Sequence, residues 1–266
     1  MPESNLMKPL PRFNVLGVGV SALTLEEATL RVLASRQQKH LGYICICTVH
    51  GVSEARRDPA LLQTFNASFL TTPDGMPLVW LGRHHGHKTI TRVYGPDLML
   101  RVCDEGRAAG LRHYFYGGGP DVAETLRANL VARYPGLQVV GTFTPPYRSL
   151  TPAEFSHLQS DVAAKAPDII WVGLSTPKQE RFMAEAWDKL DAALLIGVGA
   201  AFDFHSGRLR QAPRWMQRSG LEWLFRLALE PRRLAYRYLV YNPLFVLRTL
   251  AQLTGLKRYP FAPPDA

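Results

Sequence analysis

Short apolar segments rich in β-branched and aromatic residues alternate with longer amphipathic segments, and this alternation restricts the fold more than any other feature. A strand followed by a helix and another strand is typical of a parallel sheet with helices on both faces. The predicted strands are residues 13–20, 43–48, 69–72, 112–116, 137–141, 168–173 and 192–198. The predicted helices between them are residues 24–37, 96–109, 120–134, 152–165 and 177–188.

The pattern changes after about residue 205. Residues 213–229 and 232–241 have helical spacing, and breaks are predicted at Pro231 and Pro243 because proline interrupts helices. We therefore predict an α/β protein with a Rossmann-like, mostly parallel sheet flanked by helices on both faces. Its core would span residues 1–205, and a C-terminal helical, basic appendage would span residues 206–266.

Positive charge is concentrated in this C-terminal part. Residues 205–266 hold 11 of the 31 Lys and Arg residues but only three of the 22 Asp and Glu residues. Such an excess indicates nucleic acid, an anionic membrane or a phosphorylated substrate as partner. Trp and Tyr are interleaved with the arginines on an apolar-faced helical segment, which favours a membrane surface.

Cysteine content and hydropathy bear on location. Three cysteines are too few for a disulfide framework, which favours a reducing, cytoplasmic setting. We see no secretory signal at the N-terminus. No uncharged apolar run approaches the roughly 18 residues that a spanning helix needs.

Two glycine-rich stretches are candidate ligand loops. Residues 17–22 fit the dinucleotide pattern G-x-G-x-x-A, but no carboxylate ends the second strand about 20 residues on, so a tight turn is favoured. Residues 117–119 follow a predicted strand and precede a predicted helix. Their backbone N–H groups could approach a phosphate or nucleoside, and a flexible turn is an equal alternative. No P-loop motif occurs.

Asp74 is a candidate general base, because it follows the third predicted strand where parallel sheets bind ligands. Its pKa would lie near or somewhat above the ordinary value of about 3.9. The alternative is an N-cap for a helix over residues 76–82.

No metal site is predicted: the histidines of residues 84–87 lack carboxylate or cysteine neighbours at ligand spacing, and a surface loop is favoured.

A series of ordered motifs resembles one enzyme family. The clearest are PDGMPLVW at residues 73–80, VGLSTPKQE at 172–180 and GVGAAFDF at 197–204. The others are residues 48–50, 54–59, 92–97, 115–118, 212–217, 220–226 and 230–233. Over about residues 12–245 the chain resembles the WecG/TagA/CpsF glycosyltransferases, glycosyltransferase family 26.

The resemblance implies an inverting, metal-independent enzyme without a cofactor. It would move N-acetylmannosamine, its uronic acid or glucose from a UDP-sugar to a polyprenyl-diphosphate-linked sugar. The implied setting is the cytoplasmic face of the cell membrane, in synthesis of teichoic acid, exopolysaccharide or another surface polymer. The implied partners are the donor, the acceptor and the membrane surface, with no nucleic acid; a homo-oligomer is left open. The absence of an Asp-x-Asp motif agrees with metal independence, since cationic side chains would then stabilise the leaving diphosphate.

The resemblance also implies site residues. Asp74 matches the proposed catalytic base, and Thr48 matches a residue on the acceptor side. Further catalytic-site positions match His50, Arg92 and Gln179. Substrate-binding positions are expected at Gly117 and Gly118 from the glycine-rich loop, at Gly197, Gly199 and Asp203 for the uridine, and at Arg226, Arg233 and, one turn on, Arg237 for the appendage.

Two positions depart from the family pattern. His50 stands where Asn is usual, and Gln211 stands where Arg usually precedes Ala-Pro. His50 would alter substrate preference or add a group titrating near pH 6.5, and Gln211 would remove one diphosphate-binding cation.

Two other functions are kept as alternatives: a nucleic-acid-binding protein that uses the basic aromatic tail, and an NAD-dependent oxidoreductase that uses residues 17–22.

Overall fold

Six strands form one sheet in the computed structural model, which describes residue 6 and residues 8–261 apart from the Gln37 side chain. The sheet strands are β3 (Gly42–Cys47), β4 (Leu70–Pro73), β5 (Arg112–Gly117), β6 (Gln138–Phe143), β7 (Ile169–Gly173) and β8 (Leu194–Gly197). Their order is β4-β3-β8-β7-β5-β6, and the pairs β3–β8, β8–β7, β7–β5 and β5–β6 are parallel. The predicted α/β fold is therefore confirmed. The ends of the predicted core and appendage, residues 1–5, 7 and 262–266, lie outside the described residues.

The structure also contains helices, and some of them flank this sheet. In chain order they are α1 (Leu25–Ala34), α2 (Val49–Ala55), α3 (Pro59–Ala67), α4 (Met76–His84), α5 (Gly95–Glu105), α6 (Val122–Arg133), α7 (Pro152–Lys165), α8 (Lys178–Ala186), α9 (Ala201–His205), α10 (Arg214–Arg218), α11 (Glu222–Leu229), α12 (Pro231–Tyr236) and α13 (Asn242–Leu253). A 3₁₀ turn, Ser35–Gln37, follows α1.

The central strands are apolar throughout because helices cover the sheet. All six residues of β3 and all four of β8 are buried. Strands of parallel sheets read as continuous apolar runs for this reason. Trp171 on β7 and Tyr114 and Phe115 on β5 are among the largest fully buried side chains, so the sheet forms much of the core.

The first predicted strand is in fact a β-hairpin, β1 (Arg12–Val15) and β2 (Val18–Ser21), which pair antiparallel. Leu16 and Gly17 join the strands, and both have positive φ, as tight hairpin turns require. Asn14 closes the turn, because its Oδ1 accepts the Gly17 N–H at 2.7 Å. The pattern over residues 17–22 therefore spans a turn and a strand, and no helix opens there to receive a pyrophosphate.

Contacts divide the chain into two compact units. Among the described residues, the first contains residues 6, 8, 26–45 and 95–210, and the second contains residues 9–25, 46–94 and 211–261. Strand β3 begins in the first unit and ends in the second. A domain division at residues 205 and 206 stays a prediction.

The C-terminal helix is anchored to the hairpin within the second unit. Gln252 Oε1 accepts the Leu16 N–H at 2.9 Å, and Gln252 Nε2 donates to the Asn14 carbonyl oxygen at 3.1 Å. Asn14 Nδ2 in turn donates to the Tyr259 carbonyl oxygen at 2.6 Å. Residues of the C-terminal segment are therefore hydrogen-bonded directly to the β1–β2 hairpin.

One predicted helix break is wrong. The chain stays helical from Pro231 to Leu253, because a π-helical turn (Arg237–Tyr241) joins α12 to α13. Pro243 lies in the first turn of α13 and lacks a backbone N–H. The wider turn before it lets the helix continue where a regular α-helix would be interrupted. The break at Pro231 is confirmed, since α12 begins at this proline after α11 ends at Leu229.

Candidate active site

Asp74 lies directly after β4, and its backbone N–H donates to the Cys47 carbonyl oxygen on β3 at 2.8 Å. Helix α4 has Gly75 at its N-cap position and no capping side chain. The N-cap alternative for Asp74 is therefore wrong. The buried carboxylate instead faces the segment that precedes α5.

That segment brings Arg92 to the carboxylate. The Val93 N–H donates to the Pro73 carbonyl oxygen at 2.8 Å and holds the segment beside β4. Arg92 Nε and one terminal nitrogen each lie 2.9 Å from Asp74 Oδ1. The same terminal nitrogen, Nη2, lies 2.6 Å from Glu222 Oε2. A single guanidinium therefore binds two carboxylates.

Burial and charge set the proton affinity of Asp74. Burial raises the pKa of Asp74 to about 6, the positive charge of Arg92 opposes this rise, and the negative charge of Glu222 adds to it. Near neutral pH the carboxylate is mostly ionised and is a stronger base than an ordinary aspartate. Burial lowers the pKa of Arg92, but the charges of Asp74 and Glu222 together raise it above its ordinary value.

Glu222 and Tyr94 complete the cluster, and neither was predicted from the sequence. Glu222 is the first residue of α11, and its Oε1 accepts the Tyr94 hydroxyl at 3.1 Å. The Arg92 guanidinium lies 4.0 Å from the centre of the Tyr94 ring, within cation–π range. The sequence does mark Glu222, because this acid is the first residue of a mostly apolar helix inside the 220–226 motif.

The three predicted arginines of the appendage lie close together in the second unit. Arg226 Nη2 lies 4.0 Å and Arg233 Nη2 lies 2.5 Å from Glu230 Oε2. Burial lowers the pKa of Arg237, and the charges of Arg226 and Arg233 lower it further. The charge of Arg226 also acts on Asp74. A cationic group from the C-terminal helices is therefore electrostatically coupled to the carboxylate.

Thr48 and His50 lie on the neighbouring α2 segment. The Thr48 hydroxyl caps α2 by accepting the Gly51 N–H at 3.2 Å. The His50 ring stacks on Tyr241, with centroids 5.7 Å apart and an interplanar angle of 15°. Arg57 donates to the Tyr241 hydroxyl at 2.6 Å. Tyr241, the last residue of the π-helical turn, therefore stacks on the His50 ring.

The remaining predicted residues belong to the first unit, where they line the carboxyl ends of β5, β7 and β8. Gln179 on α8 is 3% exposed, and its Nε2 donates to Glu180 Oε1 at 3.0 Å. Gln179 Oε1 has no hydrogen-bond partner among the described residues. It lies 3.4 Å from where a Cβ on Gly199 would be, and a Cβ on Gly197 would lie 3.0 Å from its amide nitrogen.

Close packing accounts for the glycines at the end of β5. Gly117 has φ +125°, and a Cβ there would lie 2.7 Å from the Gly173 backbone. The Gly118 N–H donates to the Gly173 carbonyl oxygen at 3.0 Å, so this amide has a partner within the protein. Asp203 lies in α9, shortly after the Gly197–Gly199 loop. Ligand binding by these residues stays a prediction, as does a site shared with Asp74.

No three His, Cys, Asp or Glu side chains are grouped as metal ligands within the part of the chain that the structure describes. His84 and His85 are exposed, as the surface interpretation expects, but His84 is the last residue of helix α4, so the prediction of a loop at this histidine is wrong. The three cysteines are buried and free.

The chain is similar to glycosyltransferases of one family over most of its length. The profile described as "Glycosyl transferase WecG/TagA/CpsF family" matches residues 13–259. A protein of Bacillus subtilis strain 168, named N-acetylglucosaminyldiphosphoundecaprenol N-acetyl-beta-D-mannosaminyltransferase, is 26% identical over 205 residues, 77% of each chain. A protein of the same name from Bacillus spizizenii is 28% identical over 198 residues, 74% of each chain.

Proposed function

The chain belongs to the WecG/TagA/CpsF glycosyltransferase family, and from this premise we propose that it transfers a sugar from a UDP-sugar to a polyprenyl-diphosphate-linked sugar. The names of the two relatives favour N-acetylmannosamine as the sugar and an N-acetylglucosaminyl diphospholipid as the acceptor. The product would enter cell-surface polymer synthesis.

The proposed reaction is a single displacement. The acceptor hydroxyl oxygen forms a bond to the anomeric carbon of the donor while the bond from that carbon to the β-phosphate oxygen breaks. Asp74 takes the hydroxyl proton, and the leaving UDP carries away the electron pair of the broken bond. Attack from the face opposite the leaving group inverts the anomeric centre. Arg226, Arg233 and Arg237 would offset the negative charge that develops on the diphosphate.

The observation that carries this proposal is the buried Asp74 carboxylate, whose pKa is raised to about 6 beside cations of the C-terminal helices. A general base works best when its pKa lies close to the working pH, and an ordinary aspartate is too weak for that. Strongly perturbed carboxylates with a specific charged partner are typical of functional sites.

The surface of the C-terminal helices supports a membrane-bound acceptor. Large apolar side chains are exposed along α10 to α13 and just beyond, namely Trp215, Leu221, Leu224, Leu229, Tyr236, Leu239, Leu244, Val246, Leu247, Leu250, Leu253 and Leu256. Basic residues occur in the same segment, so the surface suits the interface of an anionic leaflet. No helix in the described part of the chain is both long and apolar enough to span a bilayer. We propose peripheral attachment to the cytoplasmic face of the membrane.

The two alternatives have less support. The dinucleotide pattern needed by an oxidoreductase falls on the β1–β2 hairpin. The basic residues that would bind nucleic acid share their segment with exposed leucines, which are poor partners for a phosphate backbone.

Product mass tests the proposal. The protein is incubated with an N-acetylglucosaminyl diphospholipid of short chain length and, in separate reactions, with UDP-linked N-acetylmannosamine, N-acetylmannosaminuronic acid or glucose. We expect the acceptor to gain the mass of one N-acetylmannosamine unit, and the uronic acid or glucose donor to give little product. An unchanged acceptor with every donor would contradict the proposal. Product from a different donor would change only the identity of the transferred sugar. NAD and duplex DNA serve as comparison ligands in a thermal-shift assay, where UDP alone should stabilise the protein.

A further inference from the structure

Two carboxylates compete for one guanidinium in the second unit. Arg92 contacts Asp74 with Nε and Nη2, and both contacts reach the same oxygen, Oδ1. Nη2 is also bound by Glu222 Oε2 at the shorter distance of 2.6 Å. A free arginine would bind a carboxylate with two parallel hydrogen bonds, one to each oxygen. Glu222 takes one of the two N–H groups of Nη2 and so helps to fix the orientation in which the guanidinium meets Asp74 Oδ1.

We propose that Glu222 is a positioning residue for the transfer reaction, because it holds Arg92 on one oxygen of Asp74 and leaves the other oxygen to accept the proton of the sugar hydroxyl. The inference rests on the proposed function. It adds Glu222 to the site and gives the first turn of α11 a role in positioning Arg92. Glu222 does not touch the reacting atoms in this account; it acts through Arg92.

The surroundings of Glu222 suit this task. Its second oxygen, Oε1, accepts the Tyr94 hydroxyl at 3.1 Å, so both carboxylate oxygens have a partner. Tyr94 is buried, and the side chains of Arg92 and Glu222 are each only 15% exposed. Contacts between largely buried charges are screened less by solvent and salt than contacts on the surface. The charges of this cluster therefore interact more strongly than those of an exposed pair.

The charges around Asp74 act in the same direction as the contact geometry of Arg92. The groups that act on Asp74 are Arg92 and Arg226, which favour its ionised form, and Glu222, which opposes it. Those that contact Glu222 are Arg92 and Tyr94. Loss of the negative charge at Glu222 would release Arg92 to pair fully with Asp74. The carboxylate would then be a weaker base with both oxygens engaged.

The test compares Glu222→Gln with Glu222→Asp in the full chain. The dependence of kcat on pH is measured with the short-chain acceptor. For Glu222→Gln we expect the acidic limb to move to lower pH and the plateau rate to fall at least about tenfold, in line with a weakened general base. Glu222→Asp keeps the charge, so its limb should stay near that of the unchanged protein and part of the rate should return. The exposed Glu105, which pairs with Arg101 on the surface, gives the control Glu105→Gln, with an unchanged profile expected.

Each outcome has a clear meaning. An unmoved limb in Glu222→Gln overturns the inference, even if the rate falls, because a merely structural role would lower the rate alone. If Glu222→Gln fails to fold, Tyr94→Phe replaces it: removal of the hydroxyl frees Glu222 Oε1, and kcat should fall about fivefold with little change in KM. An unchanged kcat in Tyr94→Phe then overturns the inference. Failure of the proposed function is seen separately, since the unchanged protein would then leave the acceptor unmodified with every donor.

Discussion

Substitution of Asp74 by asparagine is expected to lower turnover about 10²-fold or more, because an amide cannot take the proton of the attacking hydroxyl. The shape of the side chain and most of its contact with Arg92 are retained, so donor binding should persist. Initial rates with the lipid acceptor give the loss, and titration calorimetry with UDP gives the binding. A UDP affinity within about threefold of the unchanged protein would assign the loss to the chemical step.

The same variant should be more stable than the unchanged protein at high pH. The pKa of Asp74 is about 6 in the folded state, above its ordinary value of 3.8, so the folded protein holds this proton more tightly than the unfolded chain. Stability from this proton is present below about pH 4 and is lost as the pH rises through 6. Asparagine does not titrate. Urea unfolding should therefore show a gain of about 2 to 3 kcal/mol for Asp74→Asn at pH 8, and almost none at pH 4.

Asp191→Asn is the matched control, since Asp191 pairs with Lys39 on the surface. Its transfer rate should be normal, and its stability should shift by less than about 1 kcal/mol at either pH. A normal rate in Asp74→Asn would remove Asp74 as the base. A loss of stability at pH 8 would mean that burial does not raise the pKa of the Asp74 carboxylate in the folded protein.

Arg92→Gln is expected to have the largest effect on stability. It leaves the Asp74 and Glu222 carboxylates close together, buried and without their cation. Removal of one partner from a buried ion pair typically costs about 3 to 5 kcal/mol. We expect a loss of about 3 kcal/mol at pH 8, and a smaller loss at pH 5, where Asp74 would bind a proton. Urea unfolding at the two pH values gives both numbers.

Compensating substitutions distinguish charge from packing. The triple variant Arg92→Gln, Asp74→Asn, Glu222→Gln carries no charge at these positions, so much of the lost stability should return. Arg101→Gln, which breaks the exposed pair with Glu105, should cost less than about 1 kcal/mol. If Arg92→Gln and Arg101→Gln were equally mild, or if the triple variant were no better than Arg92→Gln, the charge-coupled cluster would be wrong.

The strands of the sheet could be predicted from sequence because helices bury them on both faces. Segments such as β3 and β7 are then uninterrupted apolar runs, and short loops set their limits. The hairpin β1–β2 was missed as a pair of strands, because its turn is only two residues long and one of these is the apolar Leu16. The helix break predicted at Pro243 was wrong for a different reason. Proline normally interrupts a helix, but the π-helical turn before Pro243 accommodates its missing N–H.

Some residues of the candidate site could be predicted from the sequence, and others could not. Asp74 stands out in the sequence because it follows a strand and lies in a distinctive motif. The pairing of Arg92 with Glu222 joins residues 130 positions apart, and no local pattern predicts such a contact. Tyr94 was missed because a tyrosine beside an apolar segment is most often a core residue. The C-terminal arginines were predicted only through the family resemblance, and their coupling to Asp74 emerged from the structure.

The dependence of the transfer rate on pH is the most direct test of the central claim, which is that a buried Asp74, paired with an Arg92 that also binds Glu222, acts as the base of a glycosyl transfer. With product identified by mass, kcat/KM should rise with pH and reach half its maximum near pH 6, where Asp74 ionises. The residual transfer by Asp74→Asn should lack this limb. A rate that does not vary between pH 5 and pH 8, or a limb that persists in Asp74→Asn, would contradict the account.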